Sequence, residues 1–249
     1  MDALILGGAP NSGPLRKISS AEYEAGIYIA GRPMIDYVIS ALRNVPVISR
    51  IIVVCDESVL SETLRRQVTS IIKPGKTLLD SLNNGLKTME PREPVLVLTA
   101  DIPLISKEAL EDFLLRCMSK EADVYYSFVS KEVNEEKYPG VKRTYVKLHE
   151  GVFTGGNVVL LSPQVIRDHT DILNKAVLLR KKTLQLCLLL GWKYLFYLLV
   201  GRLTIHHIEE QVAGILKIKA VGVISAFPEV GIDVDKPSDF HLVSKVLSN

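Results

Sequence analysis

Residues 3–17 read ALILGGAPNSGPLRK: an apolar run, two adjacent glycines, a polar loop, then Arg16 and Lys17. Apolar character on every position of Ala3–Leu6 is what a strand covered on both faces requires. The same character returns at Ile51–Cys55 and Val95–Thr99. Between these runs, amphipathic spacing predicts helices over Met34–Arg43, Ser58–Thr69 and Thr77–Met89. A further helix is expected from Ser106, whose hydroxyl suits an N-cap, to about Met118. Strands alternating with helices imply right-handed crossovers and an α/β fold with a mainly parallel, doubly wound sheet.

Beyond residue 120 the rhythm changes. Asp123–Val129, Thr144–Leu148 and Val158–Leu161 read as strands with little helix between them. A helical block is expected from Gln164 to about Leu216, broken near Gly191 and Gly201. Lys219–Ser225 reads as a last strand and Ser238–Leu247 as a closing helix. No repeat or low-complexity linker divides the chain. The simplest organisation is one domain over 1–249 with 164–216 as a helical insertion.

The 249 residues are 47% hydrophobic and 23% charged, the balance of a globular enzyme. A net charge of +2 supplies no field that would draw nucleic acid, and none is expected as a partner. Cys55, Cys117 and Cys187 stand far apart in apolar stretches, without metal spacing, which favours a reducing compartment. With no secretory signal at the N-terminus, the expected location is the cytoplasm. One stretch, Leu184–Val200, is strongly apolar, but Gly191 and Lys193 interrupt it. It falls short of the ~20 residues a spanning helix needs. Buried helices or a homodimer contact are favoured there. Arg180, Lys181 and Lys182 precede it and leave open a contact with a membrane surface.

Three features bear on chemistry. In a doubly wound sheet, ligands bind beyond the carboxyl ends of the strands, and the first strand ends at Gly7-Gly8. Glycines there let backbone N–H groups approach a phosphate, and Arg16 and Lys17 offer countercharge. The spacing matches neither the dinucleotide G-x-G-x-x-G nor the G-x-x-x-x-G-K-[ST] phosphate loop, which disfavours a nicotinamide dehydrogenase. Secondly, Asp101 directly follows a buried strand and Pro103 stops that strand, so a carboxylate stands at the ligand edge. It could hold a divalent cation or close a turn on its own backbone. Thirdly, EVGIDVDKPSDF places Asp233 and Asp235 on one side of an extended segment. Two such carboxylates repel unless a cation or water separates them. Asp239, near the start of the last helix, is explained by the helix N-terminus.

Together, the Gly-Gly loop, GRPMIDYVISAL, LTADIPLI and IDVDKPSDF resemble, in order and spacing, the MobA-like nucleotidyltransferases. These form part of the nucleotide-diphospho-sugar transferase superfamily. The resemblance covers about 1–162 and 219–249. It implies a three-layer α/β/α domain that moves a nucleotidyl group from a nucleoside triphosphate (NTP) to a phosphorylated small-molecule acceptor, releasing pyrophosphate. Leu6, Gly7, Gly8 and Ala9 would hold the nucleotide, with Ser81 of GKTLLDSLNNGLK a further contact. Asp101, Asp233 and Asp235 would bind Mg²⁺. Arg16 and Lys17 would serve catalysis with Asp101, and Gly155, Gly156 and Asn157 of FTGGN would meet the acceptor. FTGGN reads equally as a bulged strand entry.

One position departs from the family pattern. Relatives carry a lysine nine residues before the proline of G-[RK]-P-M, and here that position is Glu24. A carboxylate there repels a triphosphate. Two readings follow: Arg16 and Lys17, or Lys73 or Lys76, take over the role, or the chain binds nucleotides or regulates without turnover. A third, resting only on Lys181–Val200, is an enzyme at a membrane surface acting on a lipid-linked phosphate.

Overall fold

The computed structural model describes residues 1–168, 196–198 and 200–248. Most of the expected helical insertion over 164–216, and most of the apolar stretch 184–200 with Cys187, therefore lies outside the described residues.

The chain begins with β1 (Asp2–Leu6), followed by the short antiparallel pair β2 (Tyr28–Ile29) and β3 (Arg32–Pro33) and by helix α1 (Met34–Arg43). Next come β4 (Arg50–Val54), α2 (Glu62–Arg65), β5 (Ser70–Ile72), α3 (Leu78–Met89), β6 (Val95–Thr99) and α4 (Lys107–Cys117). The second half holds β7 (Val124–Ser130), α5 (Lys131–Lys137), β8 (Val146–Leu148), β9 (Gly151–Leu161) and α6 (Pro163–Asp168). After the undescribed residues, the chain continues with α7 (Ile205–Leu216), β10 (Ala220–Ser225) and α8 (Pro237–Leu247).

The main sheet runs in the order β10-β7-β9-β6-β1-β4-β5, with β8 paired to β9. Strands β6, β1, β4 and β5 are mutually parallel, as are β10 and β7, while β9 runs antiparallel between β7 and β6. Alternate residues of the central strands face opposite layers. Ala3 and Ile5 pack with Ile35, Val38 and Leu42 of α1 and Leu110 and Phe113 of α4. Leu4 faces the other way, with Leu82, Leu86 and Met89 of α3. Ile5, Ile35 and Phe113 are wholly buried, and each such side chain contributes about 1.5–3 kcal/mol. The result is the expected three-layer α/β/α sandwich.

The helix starts follow local chemistry. Thr77 and Asp80 close a capping box on α3, and the Ser106 hydroxyl accepts the Ala109 N–H at 3.2 Å. The helix expected over Ser58–Thr69 is shorter in the structure. Asp56 caps a 3₁₀ turn at Glu57–Val59, Leu60 is extended, and the Ser61 hydroxyl then accepts the Leu64 N–H to begin α2. Two caps in quick succession divide what the apolar spacing joins. Helix α5 and strand β5 were not apparent from the pattern, and β9 is longer than the expected Val158–Leu161 because its N-terminal half crosses a register shift at Tyr126/Phe128.

Candidate active site

The carboxyl end of β1 passes directly into the glycine loop. The Gly7 N–H donates to Val54 of β4 at 2.9 Å, and the Ala100 N–H donates to Leu6 at 3.0 Å, so the sheet ladder runs on to the mouth of the site. Gly8 lies against the segment after β5: a Cβ on Gly8 would come within 2.4 Å of the Pro74 Cβ. That segment is held in turn by Ser81, whose hydroxyl accepts the Gly75 N–H at 3.0 Å. Ser81 is 5% exposed and anchors the loop that flanks Gly8. Ala9 is exposed on the rim, and Leu6 is half-buried.

The rest of the first loop is braced rather than open. Glu24 donates its backbone N–H to Ala9 at 3.0 Å, and Asn11 donates its own to Glu22 at 2.8 Å. The Asn11 side chain spans to the carbonyls of Ser19 and Ala21. Glu24 reaches over the loop, its Oε1 lying 3.8 Å from where a Cβ on Gly13 would be. Arg16 turns into its own loop, donating to the carbonyls of Ser20 and Ala21 at 2.8 and 2.9 Å. Lys17, Lys73 and Lys76 are exposed.

Across the sheet, Asp101 follows β6 and meets the segment between the 3₁₀ turn Pro228–Gly231 and α8. The Val234 N–H donates to the Asp101 carbonyl at 2.9 Å. This bond sets Asp233 and Asp235 beside Asp101, and one oxygen from each of the three carboxylates lies within 4.8 Å of the others. Three carboxylate oxygens form a hard donor set suited to Mg²⁺ or Mn²⁺, so the residues fit the expected cation. Asp239 is 3% exposed and its carboxylate accepts the Asp235 N–H at 3.2 Å, while Lys236 stands 3.7 Å away. It shapes the segment, as the helix-start reading expects.

A residue that no motif marked completes the cluster. Arg143, from the turn before β8, is 9% exposed. Its Nη1 pairs with Asp233 Oδ1, and its Nη2 donates to the Asp233 carbonyl at 2.7 Å. Burial pushes its pKa down, opposed by the charges of Asp239, Asp235 and Asp101. A lone arginine in KYPGVKRTYV carries no spacing signal; only the fold brings it to Asp233.

Gly155, Gly156 and Asn157 lie in β9. Val158 pairs with Leu98, so these residues continue past the end of β6, on the side of Asp101 away from Gly7. The space beside Gly155 is taken by the Tyr126 hydroxyl, 2.6 Å from a would-be Cβ, and that beside Gly156 by Ser127 Oγ at 2.2 Å. The glycines thus allow β9 to pack on β7 and on Val230. Asn157 is half-buried.

A doubly wound sheet with a glycine loop after β1 and acidic residues converging on the end of β6 has the nucleotide-diphospho-sugar transferase fold. A family model for the MobA-like NTP transferase domain matches residues 24–186, and the chain belongs to that family. Among solved structures, a hypothetical transferase from Thermus thermophilus is 33% identical, with 96% of this chain and 98% of that one covered and a TM-score of 0.83. The 4-diphosphocytidyl-2C-methyl-D-erythritol synthase of Anaerococcus prevotii is 13% identical, covering 100% and 98%, with a TM-score of 0.61. The 2-C-methyl-D-erythritol 4-phosphate cytidylyltransferase of Francisella tularensis is likewise 13% identical, covering 98% of each chain, with a TM-score of 0.61. These last two share the fold. No curated protein sequence matches this chain. No helix among the described residues is long and apolar enough to cross a membrane.

Proposed function

We propose that this chain is a Mg²⁺-dependent nucleotidyltransferase that moves a nucleoside monophosphate from an NTP to a phosphorylated small molecule. The observation that carries the reading is the convergence of Asp101, Asp233 and Asp235 beside a close-packed glycine loop. Leu6, Gly7, Gly8 and Ala9, backed by Ser81, line the nucleotide half, and Gly155, Gly156 and Asn157 line the acceptor half. Asp101, Asp233 and Asp235 would hold the cation. Bound there, Mg²⁺ supplies charge neutralisation on phosphate oxygens.

The chemistry asks little covalent work of the protein. An acceptor phosphate oxygen bonds to the α-phosphorus as the bond from that phosphorus to the β-bridging oxygen breaks, and the electron pair leaves with pyrophosphate. A phosphate nucleophile is already ionised and needs no general base. The protein contributes positioning and fixed charge; of the two first-loop cations, Lys17 is exposed, while Arg16 would have to leave the carbonyls of Ser20 and Ala21 to take part. The chain is read as one domain, with 164–216 as an insertion.

Glu24 favours a second reading, in which the chain binds a nucleotide without turnover. Calorimetric titration of CTP, GTP, ATP and UTP in Mg²⁺, on wild type and Asp101→Asn, tests the first requirement. An NTP bound by wild type and lost by Asp101→Asn supports the site, and a pyrophosphate-release screen of phosphate monoesters then separates transfer from binding alone. If no NTP binds, or if binding ignores Asp101, the reading fails.

A further inference from the structure

The carboxylate cluster already contains a positive charge of its own. Asp101, Asp233 and Asp235 carry three negative charges and Arg143 one positive, leaving a formal −2 that a single divalent cation would neutralise. Arg143 holds Asp233 with two nitrogens, while its Nε is buried with no hydrogen-bond partner. A buried, charged donor left unmatched is costly, and its natural complement is an oxyanion. The guanidinium fork fits a phosphate in two-pronged fashion. Meanwhile the expected first-loop cation, Arg16, is spent on the carbonyls of Ser20 and Ala21, and Glu24 occupies the position where the family carries a lysine.

We propose that Arg143 is a phosphate-binding residue of the transfer reaction, parked on Asp233 and handed to a substrate phosphate when a divalent cation occupies the triad. The proposal rests on the nucleotidyl-transfer reading. A cation that takes up the Asp233 carboxylate removes the side-chain acceptor of Arg143, whose Nη2 keeps the Asp233 carbonyl and whose buried Nε already lacks a partner. The incoming phosphate then supplies the missing oxygens. That phosphate has two sources, the NTP or the acceptor. Arg143 enters from the turn between α5 and β8, on the β7/β9 half of the sheet across Asp101 from Gly7.

The test uses the full chain as wild type, Arg143→Met and Arg143→Lys. Electron paramagnetic resonance with Mn²⁺ alone reads the parking: Arg143→Met, which leaves Asp233 to the metal, is expected to bind Mn²⁺ about tenfold more tightly. Calorimetry in excess Mg²⁺ reads the phosphate contact, with tripolyphosphate standing for the NTP and inorganic phosphate for the acceptor. Arg143→Met is expected to weaken one of these by about tenfold or more, with Arg143→Lys between it and wild type. The probe that loses affinity identifies the source. Mn²⁺ binding that is unchanged or weaker in Arg143→Met overturns the proposal, as does unchanged affinity for both phosphate probes. Should Arg143→Met fail to fold, Arg143→Lys, which keeps the charge without the fork, must still lose phosphate affinity. NTP binding that depends on Asp101 but is paired with an indifferent Arg143→Met overturns this assignment alone; no NTP binding by wild type overturns the transfer reading beneath it.

Discussion

The backbone carbonyl of Asp101 accepts a hydrogen bond from the Val234 N–H at 2.9 Å. Val234 sits between the two aspartates of the IDVDKPSDF segment, so this one bond fixes the spacing between the strand-end carboxylate and the Asp233/Asp235 pair. The joined backbones bring the three side chains together, and their rotamers then set the separations of the carboxylate oxygens.

Asp101→Asn is therefore expected to keep the cluster's frame while removing a charge. Loss of even an outer-shell partner lowers metal affinity about 10–100-fold, and a direct ligand should cost at least about a hundredfold in Mg²⁺-dependent NTP binding. In metal-free buffer the same variant should unfold at a urea midpoint no lower than wild type, because one of three mutually repelling charges has gone. Calorimetry and circular dichroism read the two effects separately, and a lower midpoint contradicts the repulsion argument.

Gly8→Ala should loosen the nucleotide loop. Its Cβ would lie 2.4 Å from the Pro74 Cβ, so either the first loop or the segment after β5 must shift. Overpacking of this kind costs about 1–3 kcal/mol. Gly214→Ala is the contrasting case: nothing lies within 4 Å of the new Cβ in α7, and alanine in a helix interior is favoured by about 1 kcal/mol. Urea unfolding curves should move in opposite directions, and a shared direction would refute the packing argument.

Tyr138→Phe should destabilise the chain just upstream of the acidic segment. The Tyr138 hydroxyl donates to Glu229 Oε1 at 2.5 Å, Lys137 lies 2.5 Å from the same oxygen, and Glu229 is 3% exposed. Burial first, and Glu229 second, push the tyrosine pKa up. Removing a hydrogen bond to a buried charge costs about 1.5–3 kcal/mol. Glu229 belongs to the turn that delivers Asp233, so NTP affinity should fall along with stability. A variant as stable as wild type would show that the bond contributes nothing.

Cys55 and Cys117 should resist alkylation in the native state. Burial raises both thiols from their ordinary 9.0 to about 12, so at pH 8 both remain protonated and inaccessible. The folded pKa exceeds the unfolded one, so the folded state binds more protons across the interval. The thiols' contribution to stability is thus present below pH 9.0 and lost as pH rises towards about 12. Peptide mapping after iodoacetamide treatment, with and without denaturant, checks the first point. Equal labelling in both conditions would mean the thiols are open.

Much of this was legible in the chain. Continuous apolar runs between amphipathic stretches identify a covered parallel sheet, because a strand buried on both faces cannot alternate. Met34–Arg43 coincides with α1, and Ser106 caps α4 as its hydroxyl suggests. The shorter α2 and the overlooked α5 fail for one reason: in pieces this short, a side-chain cap outweighs apolar spacing.

The sequence alone determined the layered fold, the glycine loop at its edge, and the three aspartates, since each depends on local pattern: apolar continuity, glycine pairs, and carboxylates at strand ends. Only the tertiary structure decided what surrounds them. It turned Arg16 into its own loop, filled the space beside Gly155 and Gly156 with Tyr126 and Ser127, and carried Arg143 to Asp233. Arg16 reaches only four and five residues along its own loop, but the other contacts join residues far apart in the chain. No local spacing encodes them; they are set by which strands pair and by which side chains must share the same closed volume.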